Sequence, residues 1–158
     1  MKVVSNATVI IALAKICLLS LLEEIFGIVY VSPKVMEEVS VPGKEGYEKI
    51  SSAGFIKVVE VRDKSLVTVF TEIEMGEAES IALARELSAD LILLDEKEAR
   101  RIAERLGLRV LGTVGVLLLA KEMGYISKIK PFLYELVKKR FRIGEEVIRK
   151  VLKKAGEI

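Results

Sequence analysis

The sequence predicts an α/β fold, a three-layer α/β/α sandwich with a central, mainly parallel sheet of about five strands and helices added at the C-terminus. Three observations predict it. Short aliphatic runs alternate with helical patterns, the order in which parallel strands are joined by helical crossovers. The runs are apolar at consecutive positions, as strands covered on both faces must be. And 158 residues with 51% hydrophobic side chains and only 3 Pro are enough for one large core and too apolar for a disordered or loop-rich chain.

Val3-Val4-Ser5 reads as the first strand. The apolar stretch from Val9 to Leu22 is interrupted by Lys15 and closed by Glu23 and Glu24, and it falls short of the ~20 residues of a membrane span. It reads as a buried helix pair, and its Glu-Glu ending is not that of a signal peptide. Ile28–Val31 is the second strand, stopped by Ser32-Pro33. Pro33 suits the first helical position with Ser32 as N-cap, opening a helix with Val35, Met36 and Val39 on one face and carrying Glu37 and Glu38. Pro42-Gly43 ends it, a further helix covers roughly 44–53, and Phe55–Val61 is the third strand. Residues 64–74 read equally well as helix or strand.

From Gly76, the residues Ala78, Ile81, Ala82, Ala84, Arg85 and Leu87 describe a helix with a small-residue face for close packing on a sheet. Leu91–Leu94 is a buried strand, 96–106 a helix rich in Arg and Glu, Leu108–Leu111 the last strand and Val114–Met123 another helix. From Pro131 two helices follow, joined at Gly144. The expectation is one domain over 1–158, with 131–158 as a C-terminal helical extension.

Composition narrows the chemistry. With no His, no Trp and a single Cys (Cys17), the chain cannot build a Ser-His-Asp triad, a Cys-His nucleophile, a His-ligated zinc site or an internal disulfide. Catalysis would have to run on carboxylates, amides, hydroxyls, Lys or Arg. The lone Cys fits a reducing compartment, so a cytoplasmic location is expected. Gln is absent and Asn occurs once, at Asn6, beside abundant Glu, Lys and Arg. That is the composition of a heat-adapted protein, with an expected thermal midpoint above about 60 °C. Charge is uneven: residues 1–120 hold 14 Lys and Arg against 18 Asp and Glu, whereas 121–158 hold 11 against 5. A basic helical tail beside an acidic body can track a polyanion, and a solvated helix face accounts for it equally well.

In an open parallel sheet the carboxyl ends of the strands share one crevice, where such folds bind ligands. Ser5-Asn6, Ser32, Asp95-Glu96 and Gly112-Thr113 follow strand ends, and Glu38 and Glu77 lie on helices able to project there. Any one of these acids could simply be an exposed helix residue. Asp95 stands out because it directly follows four aliphatic residues, although capping the next helix would also place it there. Acids about 4 Å apart repel by roughly 4 kcal/mol at an effective dielectric of about 20. A hard divalent cation, Mg²⁺ or Mn²⁺, matches such oxygen ligands, and metal-assisted phosphodiester hydrolysis follows.

At these residues the chain resembles the PIN-domain superfamily of metal-dependent ribonucleases, which includes the toxins of VapC-type toxin–antitoxin pairs. KVVSNATVIIALAKI is similar to that family's opening strand and helix, and VSPKVMEEV to its second strand and glutamate-bearing helix. The stretch from Gly76 to Ile126 resembles a subgroup with a Gly-Glu-Ala-Glu helix, an acid-ended strand and a Gly-Thr-x-Gly turn.

The resemblance implies a metal-holding catalytic quartet at Asn6, Glu38, Glu77 and Asp95, with Glu37 and Glu79 as alternatives one helical step away. It also implies supporting roles for Thr8, Glu96 and Thr113, a substrate of RNA, an antitoxin protein as possible partner and a homodimer, while the short apolar stretch argues for no membrane association. Lys97, Arg100 and Arg101, or the tail Lys138-Lys139-Arg140, are the candidates to hold the RNA backbone.

Asn6 departs from the family pattern, which has Asp there. The amide keeps the shape and one coordinating oxygen but removes one negative charge, which weakens metal binding. Three readings stay open: a member that has lost catalysis, an enzyme with weak metal affinity, or an altered residue. Two other functions compete: a catalytically silent RNA- or protein-binding module on the same fold, and a nucleotide-binding protein using Gly112-Thr113-Val114-Gly115. That last motif lacks the full Gly-x-Gly-x-x-Gly spacing.

Overall fold

The computed structural model describes residues 1–158. Its strands are β1 (Val3–Ser5), β2 (Val29–Val31), β3 (Ile56–Val58), β4 (Leu91–Leu93) and β5 (Val110–Leu111), all parallel, in the order β3-β2-β1-β4-β5. Val3 is level with Val29 on one side and with Leu91 on the other. The chain steps outward from β1 through β2 to β3, then returns to the opposite side for β4 and β5. The crossover direction reverses between β1 and β4, and such a reversal opens a crevice at the carboxyl ends of the two strands.

The helices are α1 (Ala7–Lys15), α2 (Ser20–Phe26), α3 (Pro33–Val39), α4 (Tyr47–Ser51), α5 (Lys64–Val69), α6 (Met75–Glu86), α7 (Lys97–Arg105), α8 (Thr113–Glu122), α9 (Lys130–Lys138) and α10 (Glu145–Lys154). They form two layers, because alternate strand residues face opposite ways. Val3, Val29, Val31 and Leu93 join a core built with α1, α2, α3, α8, α9 and α10. Val4, Ile92 and Leu94 join a second core with α6 and α7. The expected three-layer sandwich is the observed one. The C-terminal helices are integral to the larger core, contributing Leu133, Leu136 and Leu152. No helix is long and apolar enough to cross a membrane.

Local chemistry sets several boundaries as expected. Ser32 Oγ accepts from the Val35 N–H at 3.2 Å, with Pro33 in the first helical turn. Others move. β3 ends at Val58, not Val61, because it lies at the sheet edge with Lys57 and Val58 exposed, while Val61 turns into the second core. The ambiguous stretch after Asp63 becomes α5, capped by the Asp63 carboxylate on the Ser65 N–H at 3.0 Å. No residue of α5 is fully buried, so it carries no clear apolar stripe. α4 and β5 are shorter than expected.

Candidate functional site

The carboxyl edge of the sheet opens into a cavity of about 800 Å³. Its walls include Thr8 at the start of α1, Glu74 and Glu77 at the start of α6, Asp95 and Glu96 after β4, and Arg140, Phe141 and Arg142 between α9 and α10. A smaller cavity of about 340 Å³ adjoins it and shares Asp95, Phe141 and Arg142, adding Arg100 and Gly112.

Each carboxylate is held by backbone geometry. Asp95 receives two bonds from Thr113, from the N–H to Oδ1 and from the hydroxyl to Oδ2, both at 2.7 Å. Gly112 makes that approach possible, since a Cβ there would lie 2.8 Å from Asp95 Oδ1. Burial pushes the Asp95 carboxyl above its usual range, opposed by the Thr113 bonds and by the Arg100 guanidinium. Glu77 Oε1 accepts from the Glu74 N–H at 3.0 Å as half of a capping box, which leaves Oε2 without a protein donor. Burial raises the Glu77 carboxyl. The Glu74 N–H opposes that rise, while Glu96, Glu74 and Glu38 add to it by repulsion. Glu96 caps α7, accepting from the Ala99 N–H at 2.8 Å.

Asn6 and Glu38 are not among the residues that line the cavity. Asn6 is 3% exposed, and its Oδ1 lies 3.4 Å from Ser80 Oγ. The Ser80 hydroxyl has a single proton and a closer acceptor, Gly76 O at 2.8 Å, so Asn6 Oδ1 is left with only the long contact. Glu38 reaches the first turn of α6, where its carboxylate occupies the space a Cβ on Gly76 would take. Burial raises the Glu38 carboxyl, helped by Glu74 and resisted by Lys34. The two alternatives are spent elsewhere: Glu37 is exposed and 3.5 Å from Lys34 Nζ, and Glu79 accepts from the Lys34 N–H at 3.2 Å.

The four quartet residues thus gather at one edge without closing on a point, and no three acids meet closely enough to chelate one ion. An oxygen-only donor set with mutually repelling carboxylates still suits Mg²⁺, which is commonly held by one or two carboxylates and keeps several waters. Glu77 and Asp95 line the same cavity, and Asn6 Oδ1 has only the long Ser80 contact.

The basic candidates separate. Arg100 lies beside Gly112 and pulls on Asp95. Lys97 and Arg101 are exposed and line neither cavity, and Arg101 is 3.7 Å from Glu98 on its own helix. In the tail, Lys139 bonds Glu45 and, at 2.9 Å, Lys15 O, while Arg140 faces the cavity. The sequence did not single out Glu74, Phe141 or Arg142. Glu74 carried little signal, since a capping box normally opens on Ser, Thr, Asp or Asn rather than Glu. Arg142 carried none, because its position depends on how the joint between α9 and α10 folds back.

A family model described as a PIN domain matches residues 2–157. No curated protein matches the chain. With the match running along nearly its whole length, the chain belongs to the PIN-domain family, whose fold is nuclease-like and whose members generally depend on a divalent metal.

Proposed function

We propose that the chain is a metal-dependent endoribonuclease acting through Asn6, Glu38, Glu77 and Asp95. The observation that carries this reading is that Glu77, Asp95 and Glu96 line one cavity, with burial lifting the carboxyls of Glu77 and Asp95 and acidic neighbours adding to the rise at Glu77. Glu77 and Asp95 would hold Mg²⁺ or Mn²⁺, with Asn6 and Glu38 in support. A bound ion of this kind lowers the pKa of a coordinated water and steadies charge developing on a phosphate.

The chain's own residues do the rest. Thr113 fixes both oxygens of Asp95, so its orientation does not depend on what is bound. The Glu74 N–H fixes Glu77 by one oxygen, and the other, Oε2, is free to take a proton from a water entering the cavity. Thr8, exposed on the cavity wall, can hydrogen-bond a phosphate or that water. RNA as substrate, a toxin role with an antitoxin partner and a homodimer are supported by the family resemblance, a cytoplasmic setting by the single Cys17, and a single functional domain over 1–158 by the shared core.

A second reading, a silent RNA-binding module, is favoured by the amide at Asn6 and by the absence of three acids around one point. One experiment separates them: Mn²⁺ binding and single-stranded RNA cleavage by the wild type, Asn6→Asp and Asp95→Asn. The nuclease reading expects metal-stimulated cleavage that rises in Asn6→Asp and vanishes in Asp95→Asn. If Asn6→Asp neither binds Mn²⁺ nor cleaves, that reading is wrong. Salt-sensitive RNA binding without cleavage would favour the silent module.

A further inference from the structure

We infer that Arg140 and Arg142 are the residues that hold the backbone phosphates of a single-stranded RNA lying in the cavities that Asp95 lines. The inference rests on the nuclease reading for its substrate and on two independent observations for its residues.

The first is placement without a partner. Arg140 and Arg142 line the larger cavity together with Glu74, Glu77, Asp95 and Glu96. Neither lies within ion-pairing distance of any carboxylate, and neither side chain makes a hydrogen bond, whereas Lys139 between α9 and Arg140 is tied to Glu45, Glu135 and Lys15 O. Lys139 anchors the segment and the two arginines are left free. Arg142 also lines the smaller cavity with Arg100. Asp95 and Arg142 line both cavities, so a strand lying in both would pass Asp95 with Arg140 in the larger cavity, Arg100 in the smaller and Arg142 in both. Arginine suits this task, because its planar fork binds phosphate through two parallel N–H donors.

The second is backbone conformation. α9 ends in a Schellman motif: the Phe141 N–H donates to Leu136 O at 2.9 Å and the Arg140 N–H to Val137 O at 3.0 Å. The motif needs a left-handed residue, and Arg140 has φ +67°. At the corresponding position this chain uses Gly107, Gly124 and Gly156 after α7, α8 and α10, and Cys17 and Ser88, also at positive φ, after α1 and α6; Arg140 is the one long, charged side chain among them. Glycine adopts that φ without strain and arginine does not. A long cation held in the left-handed region and lining an acidic cavity fits a residue kept for its side chain. Phe141, half-buried against the larger core, fixes the direction in which its neighbours leave the backbone.

The test uses the full chain and a fluorescent single-stranded oligoribonucleotide, with binding titrated across salt concentrations in EDTA and again with Mg²⁺. Arg140→Gly with Arg142→Ala is compared with wild type and with Lys153→Ala/Lys154→Ala, which removes equal charge from the last turn of α10. The expected result is a loss of affinity of about tenfold or more in the arginine variant and a salt slope smaller by about 1.4, the value for two lost phosphate contacts on a single strand. Arg140→Gly alone should weaken binding while its thermal midpoint holds or rises by about 2–4 °C, which a purely structural arginine would not do. Wild-type binding that survives in the arginine variant, or falls equally in the lysine variant, overturns the arginine assignment and leaves the nuclease reading standing. No RNA binding by the wild type under either condition overturns both.

Discussion

Thr113 grips both oxygens of Asp95, one through its N–H and one through its hydroxyl, each at 2.7 Å. The pair joins the end of β4 to the start of α8, so the turn after β5 sets the geometry of an acid made by the neighbouring strand. Thr113→Val keeps the shape and removes the hydroxyl donor. It should cost about 1–3 kcal/mol of stability, raise the Asp95 carboxyl further and weaken Mn²⁺ binding, with Thr113→Ser restoring the metal affinity. Thermal melts and Mn²⁺ titration of the three proteins check this.

Gly76 is the counterpart for Glu38. A methyl group at residue 76 would take the place of the Glu38 carboxylate, which is a flexible tip and can swing away. Gly76→Ala should therefore change stability little, since alanine is the better helix former, while cleavage falls about 10- to 100-fold from a displaced acid. Unchanged cleavage would mean that Glu38 has no part in the reaction.

Glu38, Glu77 and Asp95 all have carboxyls raised above their ordinary values of 4.5, 4.5 and 3.8 by burial first of all. Between those values and the raised ones, the folded chain binds more protons than the unfolded chain, so these groups make stability fall as pH rises through that window. Above it the carboxylates are charged and repelling, and a divalent cation offsets the repulsion. Mg²⁺ should raise the thermal midpoint more at about pH 7.5 than at about pH 4.5. An equal effect at both would show that these acids do not meet the cation.

Asn6 is buried, so Asn6→Asp places a charge where there was an amide. In EDTA this variant should lose about 3 kcal/mol, and Mn²⁺ should return most of it. A melt indifferent to both changes would place residue 6 outside any metal's reach.

Glu157 tests the fold apart from the site. Its carboxylate accepts from the N–H groups of Ile129 and Lys130, at 2.8 and 3.0 Å, and from Lys121 Nζ at 2.9 Å, clasping the chain end to α8 and α9. Burial raises this carboxyl, but those three donors outweigh it and leave it below the ordinary range. Glu157→Ala should lower stability by about 1–3 kcal/mol with RNA affinity unchanged at temperatures where it is folded.

How much of this was legible in the sequence depends on the range of the forces involved. Ser32-Pro33 was legible because cap and φ restriction act within three residues. Asp95 was legible because the end of a buried strand in a parallel sheet has one destination. α5 was not, since a helix with no fully buried residue leaves no clear period to read. Lys97 and Arg101 looked like phosphate contacts by charge alone, but α7 buries Ala99, Ile102 and Ala103, and a four-residue step puts 97 and 101 together on the opposite face. Arg142 and the Ser80 contact to Asn6 both depend on elements far apart in the chain, beyond any local pattern.

Because the sheet is wholly parallel, the acids and the cavity all lie at one rim, while Leu133, Leu136, Leu152 and the other large aliphatics fill the two slabs behind it. Mutational scans of this protein should accordingly divide in two. Changes selected for heat resistance would map to the slabs, changes selected for altered substrate preference would map to the rim, and the two maps would share few positions.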